Sequence, residues 1–294
     1  MTVEARVDDP VTERRIEENA DLDLRGTREL VELINAADAT VAAAVGAVAA
    51  PLAEAVDAIV ERLRRGGRLV YVGAGTSGRL AAVDAAECPS TFGIEPDRLL
   101  ALVADDEGHE DDAAAGSAVV TGAGVGPDDA VVALSASGRT PWVLGAVEAA
   151  RASGALVVGV ACAPDAPLAA VADHAVTVVV GPEVIAGSTR MKAGTAQKLV
   201  LNTISTIAMV RLGKTFGNLM VDVAALNEKQ RARARRTVEL ATGASETQVD
   251  AALDAAGGDA KVAIVSLLAG VEAEEARARL ARNGGLVRRS LESA

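Results

Sequence analysis

Two apolar runs in this 294-residue chain end in short loops of small and hydroxyl residues, and both loops contain Ser-Gly-Arg. Arg68-Leu-Val-Tyr-Val72 runs into Gly73-Ala-Gly-Thr-Ser-Gly-Arg79, and Ala130-Val-Val-Ala-Leu134 runs into Ser135-Ala-Ser-Gly-Arg-Thr140. A helix-like stretch follows each loop. A strand that delivers such a loop to a helix start presents unpaired backbone N–H groups at the positive end of the helix dipole. That is a site for an anion. Two such loops in one sheet predict a phosphorylated small molecule held by hydroxyls and amides. The ligating residues would be Gly75, Thr76 and Ser77 from the first loop, and Ser135, Ser137, Gly138 and Thr140 from the second.

The rest of the pattern supports one sheet. Short apolar runs at 68–72, 99–104, 130–134, 156–161 and 175–180 alternate with helix-like stretches, of which 140–153 is the clearest. Buried parallel strands read as continuous apolar runs, so this alternation predicts a parallel sheet covered on both faces. Ligands of such sheets bind at the carboxyl ends of the strands, where both loops fall. Before the sheet, residues 1–26 are polar and read as extended and surface-lying. Val41, Val45, Val48, Leu52, Val56, Ile59 and Leu63 then form a helical face that Gly66-Gly67 stops. After it, one long helix is predicted from Gly187 to about Leu212 and a second from about Val223 to Ala241. The last fifty residues read as three short helices, resembling a small ubiquitin-associated (UBA-like) bundle.

The residues of the first loop also fit another reading. Gly73-Ala-Gly-Thr-Ser-Gly78 fits the dinucleotide pattern, with Asp105 or Asp106 as a ribose-binding acid, which would make a nicotinamide-dependent dehydrogenase. The second hydroxyl loop argues against it, since a dinucleotide fold has no need of one. A third segment, Gly181 to Lys198, concentrates Arg190, Lys192 and Lys198 in a chain of net charge −12. Ser188 and Thr189 are placed to cap the following helix, and the cations to wall an anionic site. Asp84 and Glu87 stand three apart after the first loop, just before Cys88-Pro89, which is expected to end that helix. Asp105 to Asp112 is a carboxylate run with irregular spacing, read as a solvated loop in preference to a divalent-metal site.

Composition narrows the partners. Aromatic residues are 1% of the chain, too few for base stacking, and the acidic balance opposes binding to a phosphate backbone. No nucleic acid and no membrane partner is expected. Cys88 and Cys162 make no disulfide framework. The N-terminus carries no basic-then-apolar signal, so a cytoplasmic location is expected.

The runs Gly73–Arg79, Asp84-Ala-Ala-Glu-Cys-Pro89, Glu107-Gly-His-Glu-Asp111, Ala136-Ser-Gly-Arg-Thr-Pro141, Gly187-Ser-Thr-Arg-Met-Lys-Ala-Gly-Thr-Ala-Gln-Lys198 and Gly217-Asn-Leu-Met-Val-Asp222 closely resemble the N-acetylmuramic acid 6-phosphate etherase family, from about Thr12 to the end of the chain. The resemblance implies an α/β fold: a SIS-type (sugar isomerase) doubly wound parallel sheet flanked by helices, with a small C-terminal helical bundle. The domains would be 1–242, N-terminal helices plus the sugar-phosphate domain, and 243–294. It implies a lyase that removes D-lactate from the C3 ether by elimination and then adds water, with Glu87 as acid, Glu110 as base and no cofactor or metal. Ser188, Arg190 and Lys192 would join the two loops in binding substrate. A sugar-phosphate regulator without catalysis, such as the two-domain glucokinase regulatory protein, is the alternative on this scaffold. The chain departs from the family by lacking some ten residues between the second strand and Glu107, and His109 stands where a small residue is usual.

Helix geometry adds a dimer. If 77–87 is one straight helix, Glu87 lies about 15 Å from the loop, farther than a sugar phosphate reaches. Either the helix breaks early or Glu87 serves a site completed by a second subunit. The latter predicts a homodimer, with Arg190 or Lys192 also crossing over.

Overall fold

A computed structural model describes residues 10–104, 107–222 and 228–292. They group into two compact units. One takes in the described residues up to Ala85 together with Asp97–Ile204; the other takes in Ala86–Pro96 and the described residues from Ser205.

The first unit is built on five strands, β1 (Leu69–Gly73), β2 (Leu99–Val103), β3 (Ala130–Leu134), β4 (Leu156–Ala161) and β5 (His174–Thr177), in the order β2-β1-β3-β4-β5. All four pairings are parallel. The helices are α1 (Thr27–Asp38), α2 (Val41–Ala47), α3 (Ala49–Arg64), α4 (Gly75–Phe92), α5 (Ala113–Gly122), α6 (Pro141–Ala152), α7 (Pro167–Val171) and α8 (Lys192–Arg211). The stretch Thr27–Ala47 is long and apolar enough to cross a membrane by length and composition, but a turn at Ala39-Thr40 divides it into α1 and α2.

The alternation of side chains explains the two covered faces. Val70, Val72, Val131, Ala133 and Val157 share a core with Val120 of α5 and Trp142, Val143, Ala146 and Val147 of α6. On the other face α3 crosses β3, β4 and β5 and buries Val56, Ile59 and Val60. Each such side chain removed from water contributes about 1.5–3 kcal/mol. Tyr71 points to this face too. Its hydroxyl donates to Asp84 Oδ2 of α4 at 2.9 Å, and Asn202 Nδ2 of α8 donates to Oδ1 at 2.7 Å. Asp84 is therefore a buried tie between three elements, which accounts for one of the two acids noted on α4.

A second tie closes the far end of the sheet. Arg68, just before β1, donates its backbone N–H to Asp129 Oδ1 (2.7 Å) and its guanidinium to Oδ2 (2.7 Å), while Gly126 N–H donates to Oδ2 (3.0 Å). Burial works to raise the Asp129 pKa, but these hydrogen bonds and the Arg68 charge outweigh it and hold the carboxyl below its ordinary value. A depressed carboxylate stabilises the fold above its unfolded pKa, and the contribution is lost as pH falls through the folded pKa. Asp129→Asn is expected to cost about 2 kcal/mol at neutral pH, read as a lower urea midpoint. The difference from wild type should shrink in acid; an equal gap at all pH values would remove the charge from the explanation.

α4 is helical without a break from Gly75 to Phe92, through Pro89. This corrects the expected stop at Cys88-Pro89, and it also removes the early break that would have brought Glu87 back toward the loop. α8 begins at Lys192 rather than Gly187. The second predicted long helix is α9 (Glu228–Thr242); its expected start at Val223 lies outside the described residues.

In the second unit a hairpin, β6 (Thr215–Phe216) with β7 (Leu219–Met220), precedes α9. The last segment holds four helices, α10 (Glu246–Ala255), α11 (Ala260–Ala269), α12 (Ala273–Arg282) and α13 (Val287–Glu292), one more than expected. Val238 of α9 shares their core with Val249, Leu253, Ile264, Leu280 and Val287. Asp222 pairs with Lys214 (2.9 Å) and Lys261 (2.7 Å), fixing the hairpin's end to α11.

Candidate active site

The strand order reverses between β1 and β3, because β2 lies on one side of β1 and the rest of the sheet on the other. Crevices form where the connections diverge in this way. Gly73 is in register with Leu134, so the loops after β1 and β3 leave the sheet side by side. Between them and the segment before α8 lies a cavity of about 420 Å³, in the range of small-molecule sites. Its walls are Ala74–Ser77, Arg79, Ser135–Ser137, Thr140, Gly187–Arg190, Glu110 and Glu13.

Each wall is held by local bonds. In the β3 loop Gly138 N–H donates to Ser135 C=O (3.0 Å), and the hydroxyls of Ser135 and Thr140 are 2.9 Å apart. Ser137 Oγ accepts from Arg139 N–H at 3.2 Å, which leaves its proton for an anion. In the β1 loop Ser77 donates its hydroxyl to Gln197 Oε1 at 2.9 Å. Gln197 is buried on α8 and Ser77 faces the cavity, so in this arrangement Ser77 offers an acceptor and its proton is engaged. Arg79 and Arg190, both exposed at the rim, supply the positive charge.

Glu110 is seated between the two loops. Its backbone C=O accepts from Trp142 N–H (3.0 Å) in the first turn of α6, directly after the β3 loop. Its carboxylate lies against the β1 loop at Gly75, where a Cβ would come 2.6 Å from Oε1. Gly75 also has φ +53°, a left-handed conformation. Both facts require glycine there, and both bring the carboxylate to the start of α4.

The segment before α8 is held from behind. Glu183, 1% exposed, accepts from the N–H groups of Lys192 (3.0 Å) and Ala193 (2.9 Å). It takes the capping role predicted for Ser188 and Thr189, whose side chains are left on the cavity wall. Lys192 is turned inward: it is 7% exposed and its Nζ donates to Val180 C=O at 2.7 Å. Cys162 lies behind the same turn, and burial, with the charge of Glu183, pushes its thiol up to about 12. A thiol of that pKa is no nucleophile at neutral pH.

The SIS domain model matches residues 32–162. The N-acetylmuramic acid 6-phosphate etherase of Rubrobacter xylanophilus is 57% identical over 297 residues, 98% of this chain and 98% of its own. That of Streptomyces avermitilis is 50% identical over 301 residues, 100% of this chain and 97% of its own. The chain belongs to the N-acetylmuramic acid 6-phosphate etherase family. The fold is shared more widely. A Bacteroides fragilis crystal structure assigned as a phosphosugar isomerase involved in capsule formation superposes with a TM-score of 0.51 at 23% identity, over 63% of this chain and 91% of that one.

In this etherase-family chain, eight residues singled out from sequence as phosphate or substrate ligands line the one cavity: Gly75, Thr76, Ser77, Ser135, Ser137, Thr140, Ser188 and Arg190. Glu110 joins them. Gly138 shapes its loop from behind and Lys192 faces the interior, so neither is on the wall. Glu87 is exposed, groups with the second unit and is not among the lining residues. Among the described residues no cluster of three His, Cys, Asp or Glu is arranged for a metal. Asp112, from the acidic run, instead caps α5 by accepting from Ala115 N–H (2.9 Å). Three residues near the site escaped the sequence reading. Arg79 ends the first loop without a local signal of its role, Gln197 acts through Ser77, and Glu13 lies in a polar segment that reads as plain surface.

Proposed function

We infer that the chain cleaves the D-lactyl ether of N-acetylmuramic acid 6-phosphate, giving N-acetylglucosamine 6-phosphate and D-lactate. The observation that carries this is the convergence of two hydroxyl loops and the Glu110 carboxylate on one cavity at the switch point of the sheet, in a chain half identical to etherases along its length. The phosphate is assigned to the hydroxyls of Ser135, Ser137 and Thr140, supported by the charges of Arg79 and Arg190. Thr76 and the β1 loop line the sugar.

The chemistry follows from the ether. An unactivated ether resists displacement, but the open-chain sugar has an aldehyde at C1 that acidifies the C2 proton. Glu110 removes that proton. The C3–O bond then breaks in an elimination, lactate leaves with its ether oxygen protonated by Glu87, and water adds at C3. Two carboxylates in different surroundings can divide the roles of base and acid. Because α4 is unbroken and Glu87 is not on this wall, Glu87 is assigned to the site of a second subunit in a homodimer. The setting is amino-sugar recycling in the cytoplasm. We assign residues 243–294 to a C-terminal helical domain appended to the sugar-phosphate domain.

Release of D-lactate from the muramic acid phosphate, and none from the unphosphorylated sugar, tests the reading. Binding without release would return the chain to the regulator class. Ser137→Ala should lower kcat/KM about tenfold or more, since a hydrogen bond to a charged group contributes about 1.5–3 kcal/mol. A variant that handles the phosphate as wild type would move the anion elsewhere in the cavity.

A further inference from the structure

Glu13 puts a second carboxylate on the cavity wall, and nothing in the elimination uses it. It ends a single helical turn, Val11–Glu13, that is pinned where the third wall begins. Thr12 is buried at 2% exposure, and its C=O accepts from Gly187 N–H at 3.0 Å. Gly187 has φ +77°, and a Cβ built there would lie 2.9 Å from Glu13 Oε2. The carboxylate thus lies across the turn that leads into Ser188–Arg190. Among the described residues it takes no hydrogen bond and no ion pair. A carboxylate held at a cavity wall with both oxygens available is an acceptor for ligand donors.

The substrate's own chemistry narrows what it accepts. The phosphate and the lactyl carboxylate are anions and would be repelled. The remaining donors are the acetamide N–H and the hydroxyls, and the C5 oxygen is a hydroxyl only when the ring is open; in the pyranose it is the ring ether and cannot donate. We propose that Glu13 binds the vicinal C4 and C5 hydroxyls of the open-chain sugar phosphate and so favours the ring-opened form that elimination requires. This rests on the function inferred above and adds to it a residue that selects the reactive form of the substrate. Glu13 is a binding and specificity residue here; it moves no proton in the reaction.

The test uses full-length protein and two unreactive ligands. One is N-acetylglucosaminitol 6-phosphate, the reduced, permanently open product. The other is the methyl pyranoside of N-acetylglucosamine 6-phosphate, locked closed. Wild type should bind the open ligand more tightly by calorimetry. Glu13→Ala should reduce the ratio of open to closed affinity at least about tenfold, the loss expected for a charge-assisted hydrogen bond, and Glu13→Gln should restore part of it. Circular dichroism checks that the exposed substitution leaves the fold intact. An unchanged ratio in Glu13→Ala would overturn the proposal. So would a fall in kcat alone with the ratio kept, because it would make Glu13 an acid or base. Lactate release by wild type is measured separately, so failure of the parent reading would be seen independently.

Discussion

Glu110→Gln is expected to release no measurable lactate and to incorporate no deuterium at C2 from heavy water. The substitution is nearly isosteric. The amide still fits against Gly75, where the carboxylate oxygen approaches to 2.6 Å of a would-be Cβ, and the backbone bond from Trp142 N–H is untouched. What disappears is the ability to accept a proton. Loss of a positioned base costs about 10²–10⁴-fold, and since proton removal precedes departure of lactate, exchange and cleavage should fall together. Binding of the product sugar phosphate should be close to wild type. Exchange that survives in Glu110→Gln would place the base elsewhere, with Glu13 the other carboxylate on the same wall.

The parts of the fold that were legible share a physical cause. Strands buried on both faces are apolar at every position, so 130–134 and 156–161 stand out as runs, and both are the observed strands. The same cue misleads at 175–180. β5 ends at Thr177; Val178 N–H makes one last bond to Ala161 C=O of β4 (2.8 Å), and Val180 stays buried beyond it as a packing residue. Apolarity reports burial, and only pairing reports a strand. The hairpin around Gly217-Asn218 has two residues per strand, too few to show a period of two. The start of α8 was misplaced because its cap is Glu183, nine residues before Lys192, whereas capping patterns are read within one turn.

The site divides in the same way. Loops that carry their own ligands were readable, because glycine and hydroxyl residues at a strand end have a local meaning. Lys192 was not, since sequence shows its charge but not that Val180 C=O draws it inward. Glu13 and Gln197 reach the cavity only through tertiary contacts with Gly187 and Ser77. No spacing rule connects residues so far apart, and the surface reading of the first 26 residues hid Glu13.

Glu87→Ala should release lactate at least about a hundredfold more slowly yet continue to exchange the C2 proton, because it lacks only the acid needed later. Mixed with Glu110→Gln, it should regain activity. The unbroken helix from Gly75 to Phe92 and the absence of Glu87 from the wall that holds Glu110 are the reasons to expect the two carboxylates of one site from different chains. In a two-fold dimer every site pairs Glu110 of one protomer with Glu87 of its partner. A mixed dimer then has one site with both residues intact and one with neither. Random exchange makes half of the dimers mixed, so recovery should approach roughly a quarter of the wild-type rate. Were both residues to come from one chain, every site in the mixture would carry a defect and the rate would stay at the level of the single variants. Subunit exchange has to be demonstrated alongside, with two differently labelled chains. No recovery in an exchanged mixture would place both glutamates in one chain and require a conformation of α4 other than the unbroken helix from Gly75 to Phe92.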